Sequence, residues 1–303
     1  MGRAQPKRAA PEEGASAPRP RPRRARELLR FGTAGTPHTA KPRDHLGAVR
    51  RLRELGLGCY EMQFTYGVRI RPETIEEVRR LSQGFDIHLT CHGPYYINLL
   101  SAEPEKRGAS RQRVLESARA LHACGGDGVA FHAAFYQKLS REEAYRQLKE
   151  EMARLSATLK EEGCQARLNP ETTGKDSQFG SLEELLRLAK EMKDPGVGLC
   201  VDFSHLHART AGANNTYAEF ASQLERIQRA LGKGALKGMH IHLAGIEYGP
   251  RGEKNHLNLQ ESDMDYQELF KALADFGVEG VVVCESPNLE ADALLMRKTY
   301  RAL

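Results

Sequence analysis

The chain has 303 residues and a formal net charge of +5, from 45 basic and 40 acidic side chains. Its 40% hydrophobic and 28% charged content is typical of a soluble globular protein. No run approaches the roughly 18 consecutive apolar residues that a transmembrane helix needs, so we expect no membrane association. The six scattered cysteines form no CxxC pair, which indicates buried free thiols rather than a disulfide framework or a cysteine-based zinc site.

The positive charge is concentrated at the N-terminus. Residues 1–30 carry nine basic and three acidic side chains, whereas residues 31–303 carry 36 and 37, so the body has a net charge of −1. Residues 1–24 contain five of the 14 prolines, and we expect residues 1–26 to be a disordered Arg/Pro-rich tail. Three interpretations stay open: a simple extension, an electrostatic arm for phosphate backbones, or an organelle-targeting peptide, although the prolines disfavour the amphipathic helix of the last.

From Leu28 onward, strand-like apolar runs alternate with amphipathic helical patterns eight times. The predicted strand and helix pairs are 28–32 and 44–56, 59–64 and 71–84, 86–92 and 106–126, 127–132 and 140–163, 165–171 and 181–192, 197–205 and 217–232, 236–245 and 266–277, and 278–286 and 290–303. Such alternation predicts parallel βαβ units, and eight units predict a closed (β/α)8 TIM barrel forming one domain over residues 27–303. An open doubly wound sheet is the alternative, but no GxGxxG follows the first strand.

The third to eighth predicted strands end in side chains that bind metals. These residues are His92, His132, Glu171, Asp202 with His205 three residues on, the pair His240 and His242, and Glu285. A lone histidine at a strand end is more often structural, but active sites of barrels form where the strands end, and the whole set points to a site there. Imidazole and carboxylate ligands suit Zn²⁺, Mn²⁺ or Fe²⁺, and so many ligands predict two or three ions, as in enzymes that act on phosphoesters.

The seventh strand offers two candidate ligands. His240 and His242 are two residues apart, so both side chains point to the same face of the strand. The pattern alone does not choose which is the ligand and which supports it or faces the substrate.

Several segments together resemble the endonuclease IV family of apurinic/apyrimidinic endonucleases. They are RFGTAGTP, CHGPYYINL, VAFHAAFY, NPETTGKDSQFGSLEELL, GLCVDFSHLHA, GMHIHLAG, GEKNHLNLQES and VVVCESP, in order over about residues 28–303. The resemblance implies a xylose-isomerase-like barrel that holds three zinc ions. It also implies an enzyme that hydrolyses the backbone of double-stranded DNA 5′ of abasic sites. The expected products in base excision repair are a 3′-hydroxyl and a 5′-deoxyribose phosphate, with Glu171 orienting the attacking hydroxide.

The resemblance also implies a distribution of ligands. One zinc is expected at His92, His132 and Glu171; a second at Glu171, Asp202, His240 and Glu285; and a third at His205 and His256. His240 is preferred over His242 because GMH matches the family's ligand on this strand. Mn²⁺ is the alternative metal.

The sequence departs from the family pattern at the third site. The family often has an Asp two residues before the histidine that matches His256, but this chain has Lys254 and Asn255 there. Either the adjacent Glu253 takes its place, or two histidines bind that metal with water and phosphate.

Contacts to DNA follow from the same resemblance. Tyr95 and Tyr96 match residues inserted into the minor groove beside a flipped-out abasic nucleotide, and Arg69 matches an arginine that enters the base stack. Simple packing is the alternative role for the two tyrosines.

Two other functions remain under consideration. A sugar isomerase of the xylose-isomerase-like type would use Glu171, Asp202, His240 and Glu285 but would not need the remaining histidines together. A barrel that binds damaged DNA without cleaving it would explain why Lys254 stands where the family often has an acidic residue. We expect a monomer, located in the cytoplasm with the nucleoid if the source is prokaryotic, with organelle targeting by the tail as the alternative.

Deleting residues 1–26 tests the electrostatic arm. If the tail neutralises phosphates, its loss lowers the affinity for duplex DNA and the slope of affinity against salt, without moving the position of cleavage. Fluorescence anisotropy over a salt series measures both quantities. Unchanged affinity at low salt would mean that the tail is only an extension.

Overall fold

The computed structural model describes residues 28–303, and the predicted tail lies outside the described residues. The strands are β1 (Leu29–Ala34), β2 (Cys59–Gln63), β3 (His88–His92), β4 (Gly128–Phe131), β5 (Ala134–Phe135), β6 (Arg167–Pro170), β7 (Gln178–Phe179), β8 (Cys200–Asp202), β9 (Met239–Leu243), β10 (Gly245–Gly249), β11 (Gly252–Leu257) and β12 (Gly280–Cys284). The helices are α1 (His45–Leu55), α2 (Pro72–Phe85), α3 (Pro104–Ala123), α4 (Arg141–Glu161), α5 (Leu182–Met192), α6 (Phe203–Arg209), α7 (Tyr217–Leu231), α8 (Tyr266–Asp275) and α9 (Glu290–Arg301), with 3₁₀ turns at Lys233–Lys237 and Leu259–Glu261.

Eight parallel strands form the barrel. Their order is β6-β4-β3-β2-β1-β12-β9-β8. Parallel bridges from Leu168 to Val197 and from Glu171 to Cys200 connect the two ends of this sheet and complete the ring. The predicted (β/α)8 architecture is confirmed, and each of the eight predicted strands overlaps one barrel strand.

The helix starts follow from local hydrogen bonds. The Ser140 side chain accepts a hydrogen bond from the Glu143 backbone at the start of α4. Ser181 and Glu184 form a capping box at the start of α5. Such caps satisfy amide groups that the first turn of a helix leaves without partners, so they fix where these helices begin.

One predicted boundary was wrong. The sixth predicted strand extended to His205, but the strand ends at Asp202 and α6 begins at Phe203 without a connecting loop. The Asp202 side chain accepts a hydrogen bond from the His205 backbone N–H at 2.7 Å and caps this short helix. The apolar run therefore changes from strand to helix at a residue that also faces the barrel mouth.

Two small antiparallel sheets lie outside the barrel ring. β5 pairs with β7, and β10 pairs with β11 as a hairpin between β9 and α8. The sequence analysis did not predict either sheet. The hairpin carries two of the candidate ligands, Glu253 and His256, because both lie on β11.

The cysteines agree with the expected free thiols. All six are unpaired; five are buried, and Cys164 is half-buried. None of the helices between residues 28 and 303 has both the length and the apolar composition needed to cross a membrane.

Gly32 on β1 provides a test of barrel packing. A Cβ atom added there would lie 1.8 Å from the Cys59 carbonyl oxygen on β2, and backbone cannot move away cheaply. We expect Gly32→Ala to lower the free energy of unfolding by about 1–3 kcal/mol, the usual cost of overpacking. Gly234→Ala is the matched control, since its Cβ would meet nothing within 4 Å. Urea denaturation measures both, and equal stabilities would contradict the packing.

Candidate metal centre

The predicted ligands converge at the C-terminal end of the barrel. A cleft of about 460 Å³ opens there, and its lining includes six of them. These six are His92, His132, Glu171, His205, His256 and Glu285, and Glu253 also lines the cleft. Asp202 and His242 are fully buried. The described residues form four groups of possible metal ligands. Three lie at this end and are connected through neighbouring side chains, and the fourth, Cys200, His240 and His242, is buried below them.

The first group consists of His92, His132 and Glu171. Glu171 follows β6 and is almost completely buried. Its Oε2 atom lies 3.1 Å from His92 Nε2 and 3.5 Å from His132 Nε2. The structure therefore brings together the three residues expected at the first zinc site.

The second group consists of Glu171, Asp202, His242 and Glu285. The other oxygen of Glu171, Oε1, lies 3.4 Å from His242 Nδ1, which is 3.5 Å from Glu285 Oε1. Asp202 uses one oxygen to cap α6 and leaves Oδ2 without a hydrogen bond. Glu171 thus belongs to both groups, and its bridging of two metal ions, which the resemblance implies, stays a prediction.

His242 replaces His240 in this group, which corrects the expectation drawn from GMH. His240 Nε2 lies 2.7 Å from Glu61 Oε2, and its Nδ1 lies 3.2 Å from Asn169 Nδ2. Both ring nitrogens of His240 are therefore engaged away from the cleft. Since both histidines face the same side of β9, the choice depends on depth in the barrel, and His242 is the one nearer the mouth.

The third group consists of His205, Glu253 and His256. His205 Nε2 lies 3.5 Å from Glu253 Oε2 and 3.4 Å from His256 Nε2. Glu253 therefore takes the place of the family's Asp, at which the sequence has Lys254. Of the two alternatives for the third site, the one that uses Glu253 fits the geometry.

A register shift in the hairpin explains why Glu253 reaches this group. Two consecutive residues of β10 pair with Asn255 and Glu253, so Lys254 between them is an extra residue. Such a bulge changes the alternation of side chains along a strand. It lets Glu253 and His256, three residues apart, share one side, while Lys254 turns outward and pairs with Glu247 at 3.1 Å.

Glycines allow the hairpin to sit against the loop after β6. Gly252 has a φ of 93°, and a Cβ atom there would lie 2.1 Å from the Gly174 carbonyl oxygen. The Glu253 backbone N–H donates a hydrogen bond to the same carbonyl at 3.0 Å. This close approach holds the Glu253 carboxylate over the barrel mouth.

Hydrogen bonds orient the histidine rings. Three Nδ1 atoms face carbonyl oxygens: His92 with Gly93 at 2.7 Å, His205 with Thr172 at 2.9 Å, and His256 with Glu285 at 3.3 Å. Carbonyl oxygens only accept, so each ring donates from Nδ1 and, when neutral, presents a lone pair at Nε2. Two such lone pairs face each other between His205 and His256, which favours a cation between them.

The electrostatics of the cleft also call for positive charge. Burial opposes protonation of His92, yet Glu171 and other carboxylates raise its pKa to about 9. Burial likewise opposes protonation of His205, but Asp202 and Glu171 raise its pKa well above the usual value. Protons or metal ions can supply this charge, and metal ions displace protons from such ligands.

Two observations show that the residues fit metal ions. Glu171 Oε1, Asp202 Oδ2 and His242 Nδ1 are buried without hydrogen-bond partners, although buried polar atoms rarely lack them. Zinc bonds of about 2.0–2.1 Å in tetrahedral geometry place ligand atoms about 3.4 Å apart. The separations of 3.1–3.5 Å among the three groups match that value.

The predicted DNA-contacting residues lie near the same end of the barrel. Tyr95 lines the cleft, with its ring 6.1 Å from the ring of His92, and it is 65% exposed. Tyr96 is 61% exposed beside it. Arg69 is exposed in the loop between β2 and α2. Such exposure makes simple packing a poor explanation of the two tyrosines.

Several residues of this region do not follow from the pattern of strand ends. Glu61 lies in the middle of β2, is fully buried, and contacts both histidines of β9. A charged residue inside an otherwise apolar strand was the available signal, because glutamate is rarely buried without a partner. Tyr66 and Phe135 are also exposed aromatics that were not singled out.

Comparison with known proteins identifies the family. Residues 49–303 match the family described as xylose isomerase-like TIM barrel. The chain belongs to this family. Its members are metal-dependent enzymes, and the three ligand groups give this member candidate metal sites of its own.

Individual relatives differ in what is known of them. An uncharacterised protein of Methanocaldococcus jannaschii is 42% identical over 276 residues, covering 91% of this chain and 98% of the relative. A probable endonuclease 4 of Symbiobacterium thermophilum is 26% identical over 247 residues, covering 76% and 85%. The resemblance seen in the sequence is therefore confirmed at the level of the xylose isomerase-like TIM barrel family, and the endonuclease IV assignment stays a prediction.

Solved structures agree with the fold. Endonuclease IV from Thermus thermophilus superposes with a TM-score of 0.67 at 19% identity, covering 90% of this chain and 98% of that one. A D-tagatose 3-epimerase-like protein gives a TM-score of 0.65 at 18% identity, covering 84% and 91%. These nearly equal scores show a common barrel and do not separate the two activities.

The third ligand group can be tested by metal content. We expect Glu253→Ala to lower the zinc content by about one ion per chain after dialysis, because His205 and His256 lose their only carboxylate partner in that group. Glu247→Ala is the matched control, since its carboxylate lies on the same hairpin but pairs with Lys254. Mass spectrometry of the metals measures both variants. Equal zinc content in the two would contradict the assignment of Glu253.

Proposed function

We propose that the protein is a metal-dependent endonuclease that cleaves DNA 5′ of abasic sites. The observation that carries this proposal is the third ligand group, His205, Glu253 and His256, beside two groups that share Glu171. Clustered metal sites serve the displacement of an oxygen at phosphorus, where both the attacking and the leaving oxygen need stabilisation. The probable endonuclease 4 relative supports the same reaction class.

The roles of the side chains follow from their positions. Glu171 presents its two oxygens to different ligand groups, so it is placed to orient an attacking water at the middle of the cleft. The new bond joins the water oxygen to phosphorus as the bond from phosphorus to the 3′ oxygen breaks. That oxygen leaves as a 3′-hydroxyl, and the 5′-deoxyribose phosphate stays on the other product. Bound divalent ions would supply Lewis-acid stabilisation of the phosphate charge.

The exposed aromatics suit a damaged duplex. Tyr95 and Tyr96 follow His92 by three and four residues, with Tyr66 exposed in the loop after β2 and Phe135 exposed on β5. A side chain that enters the duplex fills the space left by an extruded nucleotide, and an abasic site has no base to unstack. Bound metal ions would add positive charge to a body whose own net charge is close to zero.

A second candidate is the isomerisation or epimerisation of a sugar. The group of Glu171, Asp202, His242 and Glu285 is a Glu, Asp, His and Glu set, as expected for such an enzyme, and the epimerase-like structure shares the fold. This candidate gives no role to His205, Glu253 and His256 together. Three metal ions per chain would favour the nuclease, and one or two Mn²⁺ or Mg²⁺ ions would favour the isomerase.

A nicking assay tests the proposal. A labelled duplex with one tetrahydrofuran abasic analogue should be cut on its 5′ side to give a 3′-hydroxyl end, and a chelator should abolish the cleavage. We expect Glu171→Ala to reduce cleavage below detection, because the residue belongs to two ligand groups. Gel electrophoresis measures the product, and circular dichroism checks that the variant folds.

Glu162→Ala is the control for the loss of a carboxylate. Glu162 pairs with Arg119 on the outer surface, so this variant should cleave like the wild type. No cleavage by the wild type at any loading with Zn²⁺ or Mn²⁺ would refute the nuclease. Full activity of the Glu171 variant would refute the role given to that residue.

A further inference from the structure

Beneath the three ligand groups lies a buried layer centred on Glu61. This carboxylate is fully buried on β2. Its Oε2 atom lies 2.7 Å from His240 Nε2, 3.1 Å from His242 Nε2 and 3.0 Å from Thr90 Oγ1. Its Oε1 atom accepts a hydrogen bond from Gln63 at 3.2 Å. Both oxygens of Glu61 therefore have partners, in contrast to the unpartnered atoms of the layer above.

The convergence on one oxygen determines the direction of the hydrogen bonds. An oxygen with a proton could donate to only one histidine, whereas a carboxylate oxygen accepts from every donor around it. Thr90 and the two imidazoles are therefore the donors. When its ring is neutral, His242 then carries its proton on Nε2, which leaves a lone pair on Nδ1, the atom that faces Glu171 and Glu285.

The separation between His240 and Glu61 argues that a hydrogen bond joins these two residues and that they do not share a metal ion. Two ligands of one tetrahedral zinc ion lie about 3.4 Å apart. The distance of 2.7 Å between His240 and Glu61 is too short for that arrangement and is typical of a charge-assisted hydrogen bond. Asn169 completes the hydrogen bonds of His240 on its other nitrogen.

We propose that Glu61 is a positioning residue, which fixes the tautomer and the orientation of His242 so that Nδ1 binds the metal of the second ligand group. This inference rests on the metal centre of the proposed function and names a residue for which that function gives no role. A carboxylate that accepts from the far nitrogen of a ligating imidazole also makes the ring a stronger ligand. His240 holds Glu61 in place from the opposite side.

Metal affinity tests this role without DNA. We expect Glu61→Gln to weaken the binding of Co²⁺ at one site by about 10–100-fold, the usual effect of losing such a partner. Titration of the metal-free protein against a competing chelator, followed by the cobalt absorption bands, measures the affinity. Glu151→Gln is the matched control, because Glu151 is another buried glutamate but pairs with Arg111 and Arg154 on the outer helices.

A double-mutant cycle separates positioning from a general structural effect. In a His242→Ala background, Glu61→Gln should cause no further loss of affinity, since the ring that it orients is absent. An equal loss in both backgrounds would overturn the proposal, as would wild-type affinity in Glu61→Gln alone.

If the Glu61 variant fails to fold, a measurement on the unaltered chain shows which ring nitrogen of His242 carries the proton. Long-range proton–nitrogen NMR spectra of the metal-free protein distinguish a protonated Nε2 from a protonated Nδ1, and the signal of His242 is assigned by its loss in His242→Ala. A proton on Nε2 supports the proposal, and a neutral ring with its proton on Nδ1 overturns it. Weakened cobalt binding without any DNA cleavage by the wild type would refute the nuclease and leave the role of Glu61 standing.

Discussion

The site depends on one electrostatic constraint, which is that carboxylates and imidazoles are packed together where water cannot solvate them. Glu171 and Asp202 are almost fully buried, and each leaves an oxygen without a hydrogen bond. The neighbouring rings of His92 and His205 have already used Nδ1 to bind carbonyl oxygens. Unpaired charge of this kind is costly in a protein interior, so the arrangement is stable only with cations among the groups.

The fold meets this constraint through two local devices in addition to the barrel. At the end of β8, Asp202 caps α6 with one oxygen, and the same turn of helix brings His205 beside Glu171. Above β9, the extra residue Lys254 changes the alternation of β11 and turns Glu253 toward His205. Each device uses ordinary backbone hydrogen bonding to aim a side chain that the parallel strands alone would not place.

The sequence predicted the barrel and most of the site because both follow from strand periodicity. His92, His132, Glu171, Asp202 and Glu285 come at or directly after strand ends, and parallel strands bring those ends to one face. The choice of His242 over His240 could not be predicted, since both share a face and only their depth in the barrel differs. The orientation of Glu253 depends on a bulge in β11, and Glu61 lies inside β2. Neither residue could therefore be found by looking for ligands at the ends of the barrel strands.

The position of the third group relative to the barrel bears on how function varies within the family. The group containing Asp202, His242 and Glu285 is built on residues at the ends of barrel strands. His205 and Glu253 instead depend on a capped helix and a hairpin outside the ring. Elements added at the mouth of the barrel therefore add a third ligand group to the two groups that share Glu171, while the ring stays the same. The similar TM-scores of a nuclease and an epimerase-like protein agree with this separation of fold from chemistry.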